Sequence, residues 1–269
     1  MGRLHFSALV GAAFVILPSA AVIAADLPQP PPPQVHVGGG WYLRGHIGMA
    51  AQHLGTLDNV DFATATNFRF LDPGNFDAAP IFGIGIGYQH SDHLRFDLTG
   101  EYRGKAEFSA LDAYGLTTDT PPDSGTNEYT AKKSEFTFLA NAYWDFHSLH
   151  GITPYVGAGI GASYNMISDF RDINVPNAGV AYGANVGTWN LAWALHAGVA
   201  MKVTNNLTLD LGYSYLDLGN AQSGDIIAYD GTNNSNNPML FNHITSHDLK
   251  LSVRWAFDQP SYYPVAANY

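Results

Sequence analysis

Several groupings of residues have the types and spacing to do chemistry. His90 and His93 share their spacing with His147 and His150, and four imidazoles on one rim could bind Zn²⁺ or Cu²⁺. Turns tolerate histidine, however, no second shell is identifiable, and the two pairs fall in turns of non-adjacent hairpins. Solvated turn residues are therefore expected, and no metal ligand is assigned. Ser246 stands between His243 and His247, beside Asp248, which is the side-chain set of a serine hydrolase. Neighbouring strand residues face opposite ways, so these groups converge poorly and a non-enzyme is expected. Gly83-x-Gly85-x-Gly87 invites a nucleotide reading, but no helix follows and the spacing does not match a dinucleotide fingerprint. No catalytic residue and no cofactor is assigned.

The stronger grouping is a set of charges. Arg44, Arg95, Arg103, Lys202, Lys250 and Arg254 stand against Asp97, Glu101, Glu135, Asp145, Asp210 and Asp248, six of each sign. A matched set of this kind needs an enclosure, because ions are taken out of water at tolerable cost only when paired.

The elements that must position these charges are strands. From Trp41 onward the chain breaks into eight alternating runs of roughly ten residues, with little helical periodicity. Trp41–Ala51 sets Trp41, Leu43, Ile47 and Met49 against Tyr42, Arg44 and His46. Ile81–Gln89 sets Phe82, Ile84, Ile86 and Tyr88 against three glycines. Leu94, Phe96, Leu98 and Tyr102 face away from Arg95, Asp97, Glu101 and Arg103. Phe136, Phe138, Trp144 and Phe146 face away from Glu135 and Asp145. A fifth run, ending at Tyr164, alternates Val156, Ala158 and Ile160 with glycines. The sixth, seventh and eighth run from Trp189 to Lys202, Leu207 to Tyr215 and Asp248 to Phe257. All twelve charges fall on one face of the runs and none on the other.

A soluble sandwich has no need for a charge-free face edged with aromatics. A transmembrane barrel needs both features. A Lys or Arg on the lipid face costs about 2–4 kcal/mol at the midplane, and aromatic rings favour the two interfaces. The expected girdle is Trp41, Tyr88, Tyr102, Trp144, Phe146, Tyr164, Trp189, Tyr213, Tyr215, Trp255 and Phe257, with Trp189 and Trp193 open to an interface role as well. Connections alternate between short turns and stretches of roughly 20 to 30 residues, the pattern of short periplasmic turns and long outer loops. The fold class is thus all-β: an eight-stranded antiparallel up-and-down transmembrane β-barrel with four long extracellular loops.

Composition agrees. The 269-residue chain is 46% apolar but only 13% charged, with 28 Gly, 15 Tyr and 15 Phe. A net charge of −11 excludes a nucleic-acid binder, and the absence of Cys excludes disulfides and thiolate chemistry. Residues 1–24 read as a signal peptide: Arg3, an apolar stretch from Phe6 to Leu17, then small residues. Residues 25–40 form a Pro-rich periplasmic leader, 41–257 the barrel and 258–269 a periplasmic tail, so both mature termini lie in the periplasm.

Several stretches also resemble a known family. Gly40-Trp41-Tyr42-Leu43-Arg44-Gly45, Phe82-Gly83-Ile84-Gly85-Ile86-Gly87-Tyr88, Pro154-Tyr155-Val156-Gly157-Ala158-Gly159-Ile160-Gly161 and Asp248–Phe257 are similar to strands of the OmpA-like, opacity-type outer-membrane barrels, including alphaproteobacterial surface antigens of porin-family type. The resemblance covers about 41–257 and implies a surface protein of the Gram-negative cell envelope, with some members linked to host interaction or haem binding. It departs at the end, where the family closes on an aromatic and this chain continues from Asp258 to Tyr269.

Eight strands enclose an interior just filled by side chains. The expected function is therefore a structural surface barrel supporting envelope integrity, its lumen plugged by paired charges. Surface-loop binding (adhesion, haem or a partner protein) and a small diffusion pore are the alternatives, with an outer-membrane lipid hydrolase more remote. Expected partners are outer-membrane lipids and lipopolysaccharide, the barrel-assembly machinery during insertion, and either a further membrane protein or a second copy. In the outer loops, Phe62, Phe68, Phe70, Leu71 and Phe76 mix with Asp58, Asp61, Asp72 and Asp77, a combination that reads as local packing over the barrel mouth before it reads as a binding rim. Acidic loops facing lipopolysaccharide phosphates would hold divalent cations loosely.

Overall fold

A computed structural model of the chain describes residues 40–116, 123–233 and 235–257. The signal peptide, most of the Pro-rich leader and the C-terminal tail lie outside the described residues.

Eight long strands close into one ring: β1 (Gly40–Asp58), β3 (Ala79–Gln89), β4 (Leu94–Ala113), β5 (Glu128–Asp145), β6 (Ile152–Asn174), β8 (Val186–Lys202), β9 (Leu207–Gln222) and β11 (Leu240–Ala256). Each pairs antiparallel with its neighbours, and the ring shuts where β1 meets β11, from Tyr42↔Ala256 to Asp58↔Leu240. Chain order and spatial order coincide, so the sheet is the expected eight-stranded up-and-down barrel, and it has no free edge along its length. Three short strands were not expected. β2 (Arg69–Phe76) pairs with β4, β7 (Gly179–Gly183) with β6, and β10 (Ile226–Ala228) with β7. They stiffen the long connections, all at one end; tight turns follow β3, β5 and β8 at the other.

The ring strands also run further than the sequence pattern suggests, because the alternation reverses its meaning partway up. In the lower part, Ile84, Leu98, Phe138, Leu191 and Leu251 face outward and the lumen is polar. In the upper part the interior is apolar, with Leu54, Phe76, Phe108, Phe170, Leu216 and Phe241 fully enclosed, while Lys105, Glu107 and Asp217 sit outside. On β4 the change coincides with a bulge between Arg103 and Ala106, so that odd-numbered residues point inward below it and even-numbered ones above. On β5 it occurs with no bulge: Glu135 and Thr137 are buried below Ala131 and Tyr129 on the same face. The physical reason is the change of solvent. Lipid demands an apolar exterior, whereas water drives apolar groups to the interior.

The outward aromatics mark that change. At the short-turn rim, Trp41 packs on Tyr88 with ring centroids 5.4 Å apart, near exposed Trp144, Phe146, Trp255 and Phe257. Higher up, Tyr102 meets Phe136 (5.0 Å), Tyr164 meets Trp189 (4.9 Å) and Trp193 meets Tyr215 (5.6 Å), with Tyr213 exposed nearby. The eight residue steps from Phe136 to Trp144 rise about 26 Å along the strand, or roughly 20 Å along the axis at a tilt of about 40°. That matches the apolar band of an outer-membrane barrel.

Candidate functional site

The interior is layered. In the layer nearest the short turns, Arg44 Nη1 lies 3.2 Å from Asp97, Arg95 Nε 3.0 Å from Asp145, and Arg254 Nε 2.9 Å from Asp210. Tyr143 stands among them. Its hydroxyl accepts from Arg44 at 2.9 Å, and the Arg95 guanidinium lies 3.9 Å above its ring and 4.7 Å from Tyr155. Glycines on the lumen face make room for these rings: a Cβ on Gly87 would run into Tyr42, and one on Gly157 into Tyr143. A neutral layer follows, in which Asn141 donates to Asp97 (2.8 Å) and His196 bridges Asn141 and Ser214.

Above it Arg103 is a hub. Wholly buried, it reaches Asp248 at 2.6 Å, Glu101 at 2.8 Å, Glu135 at 3.2 Å and Thr137 at 3.1 Å. Lys250 Nζ sits 2.6 Å from Glu101, and His46 Nε2 2.9 Å from the same carboxylate. Lys133 pairs with Glu135 and donates to Gln52 at 2.9 Å. Paired ions of this kind escape the cost of an isolated buried charge.

One sequence expectation is corrected here. Lys202 is exposed at the end of β8, against the turn, and takes no part in the lumen. Its alternation places it on the inner face, but the strand ends there and the side chain reaches water. Lys133 takes its place, so among the described residues six basic and six acidic side chains still share the two charge layers of the lumen. The signal for Lys133 was present, two residues before Glu135 and therefore on the same face. The run as read from the sequence begins at Glu135, which leaves Lys133 just outside it.

Over the upper charge layer lies the apolar core, where Phe76, Phe108 and Phe241 meet at centroid distances of 5.0–5.8 Å. Above that, at the long-loop mouth, a cavity of about 390 Å³ opens between the loops. Its floor holds Asp112, fully buried, which accepts from Tyr129 Oη (2.6 Å) and from the backbone and side-chain amides of Asn127. Phe62 and Phe68 stack at 4.2 Å along its wall, with Phe70 edge-on at 5.5 Å and 5.0 Å, which is the packing expected of the first loop. Burial first, then the Asp112 and Asp61 carboxylates, push the Asp172 carboxyl up to about 7. Burial, Asp172 and Asp112 raise the Tyr129 hydroxyl well above the usual phenol range.

The other candidates separate. Ser246 points into the lumen and donates to Asp248, while His247 points outward to Tyr213 Oη at 2.6 Å and His243 is exposed. Strand alternation therefore places serine and imidazole on opposite sides of the wall, and no nucleophile–base pair forms. The histidine turns lie closer than expected. β4 and β5 are neighbours, so their hairpin turns adjoin, and the His93 and His147 rings sit 4.9 Å apart. His93 Nδ1 is taken up by the Asp145 carbonyl at 2.9 Å, and His90 and His150 are solvent-exposed. Among the described residues no group of three or more His, Asp or Glu is set to hold a metal ion.

Comparison with known proteins agrees with this architecture. The family model described as "Outer membrane protein beta-barrel domain" matches residues 12–257. An uncharacterized protein of Brucella abortus (strain 2308) is 34% identical over 205 residues, covering 69% of this chain and 71% of that protein. A putative adhesin of Rickettsia felis is 28% identical over 229 residues, covering 82% and 89%. Among solved structures, the chain is similar to the outer membrane protein OprG from Pseudomonas aeruginosa, at 12% identity and a TM-score of 0.46, over 82% of this chain and 97% of that one. A match spanning every strand of the ring, on a barrel with a lipid-compatible exterior, means that the chain belongs to the outer membrane protein β-barrel domain family and resides in the outer membrane.

Proposed function

We propose that the protein is a sealed surface barrel: it reinforces the envelope through its packed, non-conducting wall and holds a folded head above the membrane. The orientation follows the family rule of short periplasmic turns and long outer loops, which places both ends of the barrel chain in the periplasm. The observation that carries the reading is the double closure of the interior. A buried ion-pair layer centred on Arg103 lies beneath an apolar core, and side chains of both layers stand across the lumen, which supports a closed interior. Planar-bilayer recording tests it: the purified protein is expected to give no stable ohmic step, and a large steady conductance from the monomer would overturn the seal.

A second reading, recognition by the head, has its own support. The ring strands continue past the upper aromatic level and are braced by β2, β7 and β10, so the loops form a stiff platform. With Lys133 in the lumen, the outer segments carry fourteen carboxylates against Arg69, Lys105, Lys132 and Arg171. The Rickettsia felis relative is named a putative adhesin. Excising the loop tips separates the two readings, because envelope integrity should survive the loss while binding should not. A lipid hydrolase has no support in the placement of Ser246, and activity on lipid A or phospholipid lost in Ser246→Ala would revive it.

A further inference from the structure

We propose that the cavity at the outer mouth binds an alkylammonium group, as carried by a free polyamine or by a lysine side chain. The cavity of about 390 Å³ falls within the range of small-ligand sites. Among the described residues no Lys or Arg lines it, whereas Asp61, Asp112 and Asp172 do. Its amide donors are already used: Asn59 Nδ2 donates to the Asn237 carbonyl (2.7 Å), Asn237 Nδ2 to Asp61 (2.7 Å) and Asn127 Nδ2 to Asp112 (3.0 Å). Acceptors are left over. Asn237 Oδ1 is buried without a partner, and the Asp172 carboxylate faces two further carboxylates, Asp112 and Asp61. A site with spare carboxylate and amide oxygens, whose amide nitrogens are engaged, suits a donating ligand, and an ammonium has three donors and no acceptor. A neutral sugar needs both kinds of partner, and an anion would meet three carboxylates.

The stacked Phe62 and Phe68 rings suit the alkyl stem and offer π-faces to its charge. A chelated metal fits less well, since among the described residues no three acidic or histidine groups are set to hold one. Asp172 also carries the strain of its surroundings. Its proton is held to about pH 7 by burial and by Asp112 and Asp61, with Tyr129 the facing group on β5, and a cation relieves that repulsion. Arg171, the adjacent base, turns to the other side of the strand, toward Tyr182.

The inference deepens the recognition reading of the head. Its test uses the full-length protein refolded in nanodiscs, titrated calorimetrically at pH 8 with spermidine, with Nα-acetyl-lysine methylamide and with CaCl₂. Saturable 1:1 binding of either amine is expected, weakened by about tenfold in Asp172→Asn, the loss of one charged partner. It should be unchanged in Asp77→Asn, which alters an exposed acid outside the cavity. Binding of spermidine alone identifies a free polyamine as the source; binding of the lysine derivative identifies a protein side chain. No binding of either amine, amine binding that Asp172→Asn leaves within about twofold, or equal competition by Ca²⁺ overturns the inference. Retained heat-modifiable mobility in electrophoresis confirms that the variant is folded. A non-conducting barrel that binds no amine defeats this inference alone, and a conducting barrel with Asp172-dependent binding defeats only the seal.

Discussion

Replacing Arg103 with methionine is the sharpest perturbation of the sealed interior. The guanidinium is fully buried and touches three carboxylates, Asp248 at 2.6 Å, Glu101 at 2.8 Å and Glu135 at 3.2 Å. Lys250 and Lys133 remain, so the upper layer passes from three positive and three negative charges to two and three. Methionine fills most of the volume, which leaves the uncompensated carboxylate as the main cost. Breaking a buried pair by removing one partner typically costs about 3–5 kcal/mol. The cost should appear in urea titration of the refolded protein in micelles, followed by electrophoretic mobility and tryptophan fluorescence. Arg103→Met combined with Asp248→Asn restores the balance and should recover at least half of the loss. A single variant within about 1 kcal/mol of wild type, or a double variant no better than the single, would refute the hub.

Further variants probe other layers. Lys133→Met should cost about 3 kcal/mol by the same measurement, whereas Lys202→Gln, an exposed site, should stay within about 0.5 kcal/mol. Leu98→Arg puts a charge on the lipid face of β4 and should destabilise by about 2–4 kcal/mol in bilayers, less in micelles that deform around it. The Asp172 carboxyl titrates at about 7 in the fold and near the ordinary aspartate value of 3.8 when unfolded, so the native state holds the extra proton between those limits. Its contribution is full below about pH 4 and is lost as pH rises through 7. Asp172→Asn should therefore match wild type at pH 4 and melt higher at pH 8, by the equivalent of a few kcal/mol. An identical pH profile for the two proteins would show that this carboxyl is not perturbed.

The wall within the membrane is legible from the residues alone. Its period-two pattern has a charge-free face bounded by aromatics, and both properties are imposed strand by strand by lipid on one side. Leu98 between Asp97 and Thr99 states its own orientation. The glycines at 83, 85 and 87 likewise signalled an inner face needing space, which Tyr42 and His46 occupy. The pairing inside that wall was not legible. Arg103 and Glu101 share one run while Glu135 and Asp248 come from two others, and only closure of the ring brings all three carboxylates within 3.2 Å of the Arg103 guanidinium. The head was hidden for another reason. Past the aromatic level the solvent changes, the bulge after Arg103 shifts the parity of β4, and strands then resemble polar loops. The mouth cavity depends on both events. Asp61, Asp112 and Asp172 are 51 and 60 residues apart in the chain, and only the turn of the first loop over a closed barrel brings them to one opening, where low solvent access makes their charges matter.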